Sequence, residues 1–460
     1  MIQRLLILFL LLPLSNYAQK FEGKWYSSFT VMGTSMRMNL DVTESPEVKV
    51  LISNPDVPAL KQECNEVTID GNDFYFELES FGLDFNGSLY GDSIRGEMQQ
   101  HGVKWMVTFT REEQKPKVVN RPQEPKPPFD YTIDSLQIEN GDISLGATLI
   151  LPKDFNENTP IIILSSGSGA QDRDCHIAGH KPFWVIADHM ARQKIATIRF
   201  DDRGQGTSTG KFQEATLMDF GSDVEAIARH VRKKLKFKKN PLGMLGHSEG
   251  GMHTLIAANN YKKIDFLVQM ATVGTNGMDV LVQQQYDIPK ASGESHELSE
   301  WNKFLYVGMC NIVLQYPQDI ASDSLTAYVG NKYDNAPEEF NKSGATRLQF
   351  IIGNIMFMNN LWMREFLLFE TENYLPKLAK QGTPILTVHG EKDIQVAPES
   401  NSAGFSGYPY AQREIMPEVN HLMQHCKNCS MQEYGTLEET ISSNVLYLIS
   451  DWVRELYLTH

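Results

Sequence analysis

The chain has 460 residues, room for two or three domains at about 100 to 200 residues each. Its 41% apolar and 22% charged content is that of an ordinary soluble globular protein, which excludes wholesale disorder, collagen and coiled coil. Lysine plus arginine number 42 against 57 aspartates plus glutamates, a net charge of −15 that repels nucleic acid and anionic lipid, and five cysteines are too few for a disulfide scaffold.

Residues 1–18 begin with Arg4, continue through an apolar run from Leu5 to Leu14, break at Ser15 and Asn16 and end on the small Ala18. The run is too short to cross a bilayer, and its flanks are those of a signal peptide rather than of a buried or anchoring helix. No cysteine follows for a lipid anchor, and no later segment has the roughly 18 consecutive apolar residues of a membrane span. An exported protein, periplasmic or secreted and without stable membrane insertion, is therefore expected, with its mature chain starting near Gln19.

Residues 19–113 alternate apolar and polar positions in short runs, as in Phe74-Tyr75-Phe76-Glu77-Leu78 and Trp105-Met106-Val107-Thr108-Phe109, separated by turns such as Asp70-Gly71 and Asn86-Gly87. Period-2 alternation predicts a small all-β domain, an antiparallel sheet or barrel with an accessory role, since no polar residues converge in it by spacing. Residues 114–130 carry Pro116, Pro122, Pro125, Pro127 and Pro128 among charged residues and read as an interdomain linker. From Tyr131 to the end, strands alternate with helices. Ile143 to Leu151, Ile161 to Leu164, Ile195 to Phe200, Leu242 to Leu245, Phe266 to Met270 and Ile385 to Val388 read as strands. Phe183 to Gln193, Phe220 to Leu235, Met252 to Asn259 and Leu437 to Tyr457 read as helices. The pattern predicts an α/β domain over 131–460, a mostly parallel sheet with helices on both faces. Between about 274 and 374 it lapses into apolar helical text without strands, which predicts a helical cap inserted over the sheet's active edge.

Gly246-His247-Ser248-Glu249-Gly250 fits G-x-S-x-G between a strand and a helix, where glycines let a serine sit on a strained turn with its hydroxyl exposed. Such a serine needs a base and an orienting carboxylate, in the chain order Ser, Asp or Glu, His. After the strand at Ile385, His389-Gly390-Glu391-Lys392-Asp393 presents Asp393, with Glu391 as its rival; Asn420-His421 then delivers His421 on a loop. His389 and His425 read as structural. Two backbone donors are needed for an oxyanion. The residue after the serine, Glu249, gives one; Ser168 gives the other from Ser166-Gly167-Ser168-Gly169, with Gly169 next in line. A phosphate loop does not fit, because the G-x-x-x-x-G-K-[ST] spacing is absent. Export and proximity predict a Cys426–Cys429 disulfide, with Cys64, Cys175 and Cys310 reduced. A metal site from His421, His425, Cys426 and Cys429 lacks a second Cys pair of zinc spacing.

On Gly167 to Asp174, Phe200 to Ser208, Gly246 to Gly251, Gly390 to Asp393 and Asn420-His421, the chain resembles the α/β-hydrolase superfamily. Within it, the likeness is to exported bacterial carboxylesterases of the esterase D type and to related serine-aminopeptidase and acylaminoacyl-peptidase-like hydrolases. The resemblance implies Ser248 as nucleophile, Asp393 as acid and His421 as base; Ser166 departs from it where relatives often carry histidine. Arg203 is expected to brace the oxyanion loop through Asp172 or Asp174. These residues predict a serine hydrolase that forms an acyl-enzyme on a small-molecule ester of short or medium acyl chain, with no metal or organic cofactor. An exported exopeptidase is the alternative. A non-catalytic binder on the same fold is expected to lack part of the triad.

Overall fold

The computed structural model describes residues 21–31, 34–55, 57–78, 82–100, 103–113, 119–340 and 346–458. The segment 1–18, read as a signal peptide, lies outside the described residues. The chain divides into an N-terminal unit of residues 1–29 and 36–116 and a C-terminal unit of residues 117–460, with 30–35 grouped with the latter.

The N-terminal unit is one sheet built from β1 (Gly23–Val31), β2 (Thr34–Thr43), β3 (Lys49–Asn54), β4 (Val57–Glu63), β5 (Glu66–Asp70), β6 (Asp73–Leu78), β7 (Leu83–Tyr90), β8 (Ser93–Gln100) and β9 (Val103–Thr110). The order β4-β3-β2-β1-β9-β8-β7-β6-β5 makes two runs of hairpins that meet where Tyr26 of β1 faces Thr110 of β9. Alternation puts one face inside: Phe74, Phe76 and Leu78 of β6 and Leu83, Phe85 and Leu89 of β7 are buried. Phe76 stacks on Phe85 at 5.2 Å, and Phe109 meets Phe85 edge-on at 5.5 Å.

In the C-terminal unit the sheet order is β10-β11-β13-β12-β14-β15-β16-β17. The strands are β10 (Tyr131–Asn140), β11 (Ile143–Pro152), β12 (Ile161–Ser165), β13 (Ala196–Phe200), β14 (Leu242–His247), β15 (Phe266–Met270), β16 (Ile385–Gly390) and β17 (Ala411–Met416). β13, β12, β14, β15, β16 and β17 pair parallel, whereas β10 and β11 form an antiparallel hairpin along β13. Two apolar layers explain why the central strands read as unbroken hydrophobic runs. Ile161 and Ile163 of β12 point into a core with α2 (Leu217–Lys233) and α3 (Glu249–Asn260). Ile162 and Leu164 point into a second core with α1 (Pro182–Arg192) and the C-terminal helix (Ser443–Tyr457).

Between β15 and β16 come the helices α4 (Gly277–Ala291), α5 (His296–Gln315), α6 (Gln318–Asp334), α7 (Arg347–Met358), α8 (Leu361–Leu368) and α9 (Leu375–Gln381). α4 to α8 fill the stretch that the sequence reads as a cap. Several of their buried residues, among them Leu305, Met309, Val313 and Met363, continue the core of α2 and α3.

Two sequence expectations shift. The Pro-rich stretch read as a linker is, from residue 119, strapped to the C-terminal unit. Arg121 donates to the carbonyls of Ala178, Gly179, Gly435 and Leu437, and Gln123 is bonded at both ends of its amide to Thr440 and Ile441. The last helix begins at Ser443 rather than Leu437. Before it, the Thr440 and Ile441 amides donate to Gln123 and the Ser442 amide to the Met423 carbonyl, so they are committed outside a helix.

Candidate active site

β14 is buried along its whole length and ends at His247, where the chain turns sharply into α3. The turn residue, Ser248, has φ 55° and ψ −124°, a conformation L-residues rarely adopt. It is held because the Ser248 amide donates to the Met270 carbonyl at 2.9 Å and its carbonyl accepts from Thr272 Oγ1 at 2.9 Å. The loop after β12 lies directly over this turn. A Cβ on Gly167 would stand 3.0 Å from Ser248 Cβ and 3.1 Å from the His247 carbonyl, and one on Gly250 only 2.1 Å from the Ser165 carbonyl. Glycine at these two positions is a requirement of close approach.

Asp393 follows the end of β16 with its side chain fully enclosed. Its Oδ1 accepts the amides of Gln395 at 2.8 Å and Val396 at 2.9 Å, and its Oδ2 accepts from His421 Nδ1 at 2.7 Å. Glu391, the rival acid, is turned elsewhere. Its carboxylate accepts the Glu418 amide at 3.0 Å, and that bond, together with Lys392, holds it below the ordinary range. His421 sits on a loop whose preceding Asn420 caps the amides of Leu422 and Gln424. Its carbonyl accepts from His247 Nε2 at 2.9 Å, and the two rings lie 5.0 Å apart. The residue before the serine is thus bonded to the loop that carries the histidine. His389 is buried and donates to the Thr272 carbonyl, and His425 faces Glu439.

The loop above Ser248 is pinned by acids that differ from those expected. Arg203 does not reach Asp172 or Asp174: it pairs with Asp219 and Asp223 of α2, because it points from the β13 turn toward that helix. Bracing comes from its neighbours. Asp201 takes the Arg173 amide and guanidinium and the Thr207 amide, and Asp202 takes the Gln171 amide at 2.9 Å and faces Ser166 Oγ at 3.4 Å. Burial pushes the Asp202 carboxyl up to about 7. Asp174 is paired with Arg199, and Asp172 caps the amides of Asp174 and His176. The Phe200 to Ser208 motif pointed to this turn, but nothing in its spacing showed which of its charged residues face the loop. Ser168 and Glu249, the two residues expected to supply amide donors, are joined by their side chains: Ser168 Oγ donates to Glu249 Oε2 at 2.5 Å.

Cys426 and Cys429 form a disulfide five residues past His421, and Cys64, Cys175 and Cys310 are free. With His421 on Asp393 and both cysteines joined, the side chains once weighed as metal ligands have other partners. Among the described residues no three His, Cys, Asp or Glu converge as a metal-holding group. No helix among them is long and apolar enough to cross a membrane.

Residues 182–425 match the family model Hydrolase_4, described as serine aminopeptidase, S33. Among solved structures, the chain is similar to Est1E from Butyrivibrio proteoclasticus with ferulic acid bound, at 19% identity over 70% of this chain and 98% of that one, with a TM-score of 0.41. It is also similar to the esterase Pf2001 of Pyrococcus furiosus, at 12% identity over 75% and 100% with a TM-score of 0.43. Proline iminopeptidase from Mycobacterium smegmatis matches at 15% identity over 71% and 99% with a TM-score of 0.41. No curated protein matches the sequence.

Proposed function

Because the chain belongs to the Hydrolase_4 family, serine aminopeptidase S33, within the α/β-hydrolase superfamily, we propose that this hydrolase cleaves carboxylic esters of short or medium acyl chain through Ser248, His421 and Asp393. The observation that carries this reading is the 2.7 Å bond from His421 Nδ1 to Asp393, on a loop that His247 ties to the positive-φ turn of Ser248. A carboxylate on Nδ1 fixes the tautomer and leaves Nε2 as the base. In this mechanism His421 takes the Ser248 proton as the hydroxyl attacks the acyl carbonyl. The oxyanion is held by the Ser168 and Glu249 amides. His421 then returns the proton to the departing alcohol, and water hydrolyses the acyl-enzyme.

Esters are favoured over peptides by the cap. Aminopeptidases hold a substrate ammonium with carboxylates, and among the cap glutamates Glu365 is engaged at the first turn of α2, accepting the Met218 amide at 2.9 Å. The cap is rich in aromatic and methionine side chains; Met363 and Phe366 are packed into the core beside Trp362, and this apolar character suits an acyl chain better than a charged substrate end. Export to an oxidising compartment belongs to the same proposal, on the signal-like residues 1–18 and the disulfide.

The test is a panel of p-nitrophenyl esters of rising acyl length beside aminoacyl anilides, run on the wild type and on Ser248→Ala, His421→Ala and Asp393→Asn. Each variant should fold and lose about three or more orders of magnitude in kcat, with combined losses far from additive. Near-normal turnover in folded Ser248→Ala would remove the assignment. A kcat/KM for an aminoacyl anilide above that for p-nitrophenyl butyrate would turn the reading to the exopeptidase.

A further inference from the structure

Glu249 does more than lend its amide. Its side chain is 3% exposed, yet both carboxylate oxygens are engaged by three separate parts of the unit. Oε2 accepts from Ser168 Oγ at 2.5 Å, in the loop over the nucleophile. Oε1 accepts from Trp362 Nε1 at 2.7 Å, in cap helix α8, and from His253 Nε2 at 3.2 Å, one turn along α3. His253 Nδ1 lies 3.3 Å from Ser165 Oγ, so the same network returns to the start of that loop. Burial alone pushes the Glu249 carboxyl upward, but the bonds from His253, Ser168 and Trp362 outweigh it and hold the group below its ordinary range.

We propose that the Glu249 carboxylate, by bridging Ser168 Oγ to Trp362 Nε1, is a positioning group that sets the spacing of the Ser168 and Glu249 amides and makes it depend on the seating of the cap. The proposal rests on the serine-hydrolase reading given above. Its physical content is that two amides on different elements, a loop and a helix start, must converge on one developing charge. Hydrogen-bond strength at an oxyanion falls steeply with misplacement. A carboxylate clamped to both elements removes that freedom. Attaching the clamp to α8 through an indole N–H means that a displaced cap releases one of its donors. Such a device acts on the transition state, where the oxyanion exists, and leaves ground-state binding nearly untouched.

Three variants isolate the parts while keeping both amides. Trp362→Phe removes the N–H and retains a ring, Ser168→Ala removes the hydroxyl, and Glu249→Gln keeps the shape without the charge. Each is measured on p-nitrophenyl butyrate, with thermal midpoint as the folding control and Ser248→Ala as the chemical one. A trifluoromethyl ketone serves as tetrahedral mimic and butyrate as planar product. The expected result is a fall in kcat of about tenfold for Trp362→Phe and for Ser168→Ala, with KM within about twofold. Affinity for the ketone should drop in step with kcat while butyrate binding stays level. The Trp362→Phe/Ser168→Ala double variant should lose less than the product of the single losses, because both act through one carboxylate. A loss in Trp362→Phe that lies in KM would overturn the proposal and make the indole a wall of the pocket. A rise of kcat in Glu249→Gln would overturn it too, by showing that the buried charge opposes the oxyanion. Retained turnover in Ser248→Ala would instead overturn the hydrolase reading beneath it.

Discussion

His247 is the last residue of β14, and its ring reaches across to the loop of His421, where Nε2–H donates to the backbone carbonyl. Burial pushes the pKa of the ring down to about 4, outweighing that bond, which either protonation state can make. In the unfolded chain the group titrates near about 6.5. Above that pH both states are neutral and the contribution of the buried ring is fully present. As pH falls from 6.5 toward 4 the unfolded state takes up a proton that the folded state refuses, so stability is lost. His247→Phe keeps a ring and leaves the His421 carbonyl without its donor, at a cost of about 1 to 3 kcal/mol at pH 7.5. The gap in thermal midpoint between wild type and variant should then narrow between pH 6.5 and 4. A gap that stays constant across that window would mean that His247 gains charge freely in the fold. The histidine before the serine was visible in the motif, but its partner was not, because a carbonyl 174 residues away leaves no mark on local spacing.

The loop after His421 shows how an element with little regular structure is held. Cys426 and Cys429 close a ring of only a few residues, since they are three apart in sequence. By the chain-entropy model so small a ring contributes about 2 kcal/mol. Inside the turn, the Glu433 carboxylate accepts the amides of Lys427, Asn428 and Cys429, at 2.8 Å for the last. Charge-assisted bonds of this kind contribute about 1.5 to 3 kcal/mol each when buried. Glu433→Gln should therefore lower the thermal midpoint at least as much as reduction of the disulfide, measured on the same protein with and without dithiothreitol. A larger fall on reduction would place the hold in the sulfur bridge. Glu433 itself lies in the first turn of the short helical segment Met431–Thr436, which ends just before the residue where the sequence reading starts the final helix. The helix read from Leu437 starts only at Ser443, because the 440–442 amides are committed to other partners.

At the scale of the whole molecule, the two units have separate apolar interiors. The buried cluster of the nine-stranded sheet runs from Phe21 to Phe109, and the two layers on the other sheet draw on residues from Ile138 to Val453. A fragment comprising 117–460 should thus fold on its own and hydrolyse p-nitrophenyl butyrate with kcat/KM within about threefold of the full chain; an insoluble or inactive fragment would show that the N-terminal unit is needed. The sequence by itself determined the division into a β-rich unit and an α/β unit, the strandless helical stretch between β15 and β16 and the strand-to-helix turn of Ser248. It also marked Asp393 and His421, which the fold brings to 2.7 Å. All of these follow from interactions between near neighbours: period-2 or helical spacing of apolar residues, and the need for glycine where backbone meets backbone. Only the tertiary structure decided that Asp201 and Asp202 brace the loop over Ser248 while Arg203 turns to α2, that Arg121 straps the Pro-rich stretch to the C-terminal unit, and that Trp362 meets Glu249 across 113 residues. Such pairings are degenerate in a sequence with 42 basic and 57 acidic residues. Any of many donors satisfies a given carboxylate equally well until the packing of the apolar layers decides which of them lies within about 3 Å.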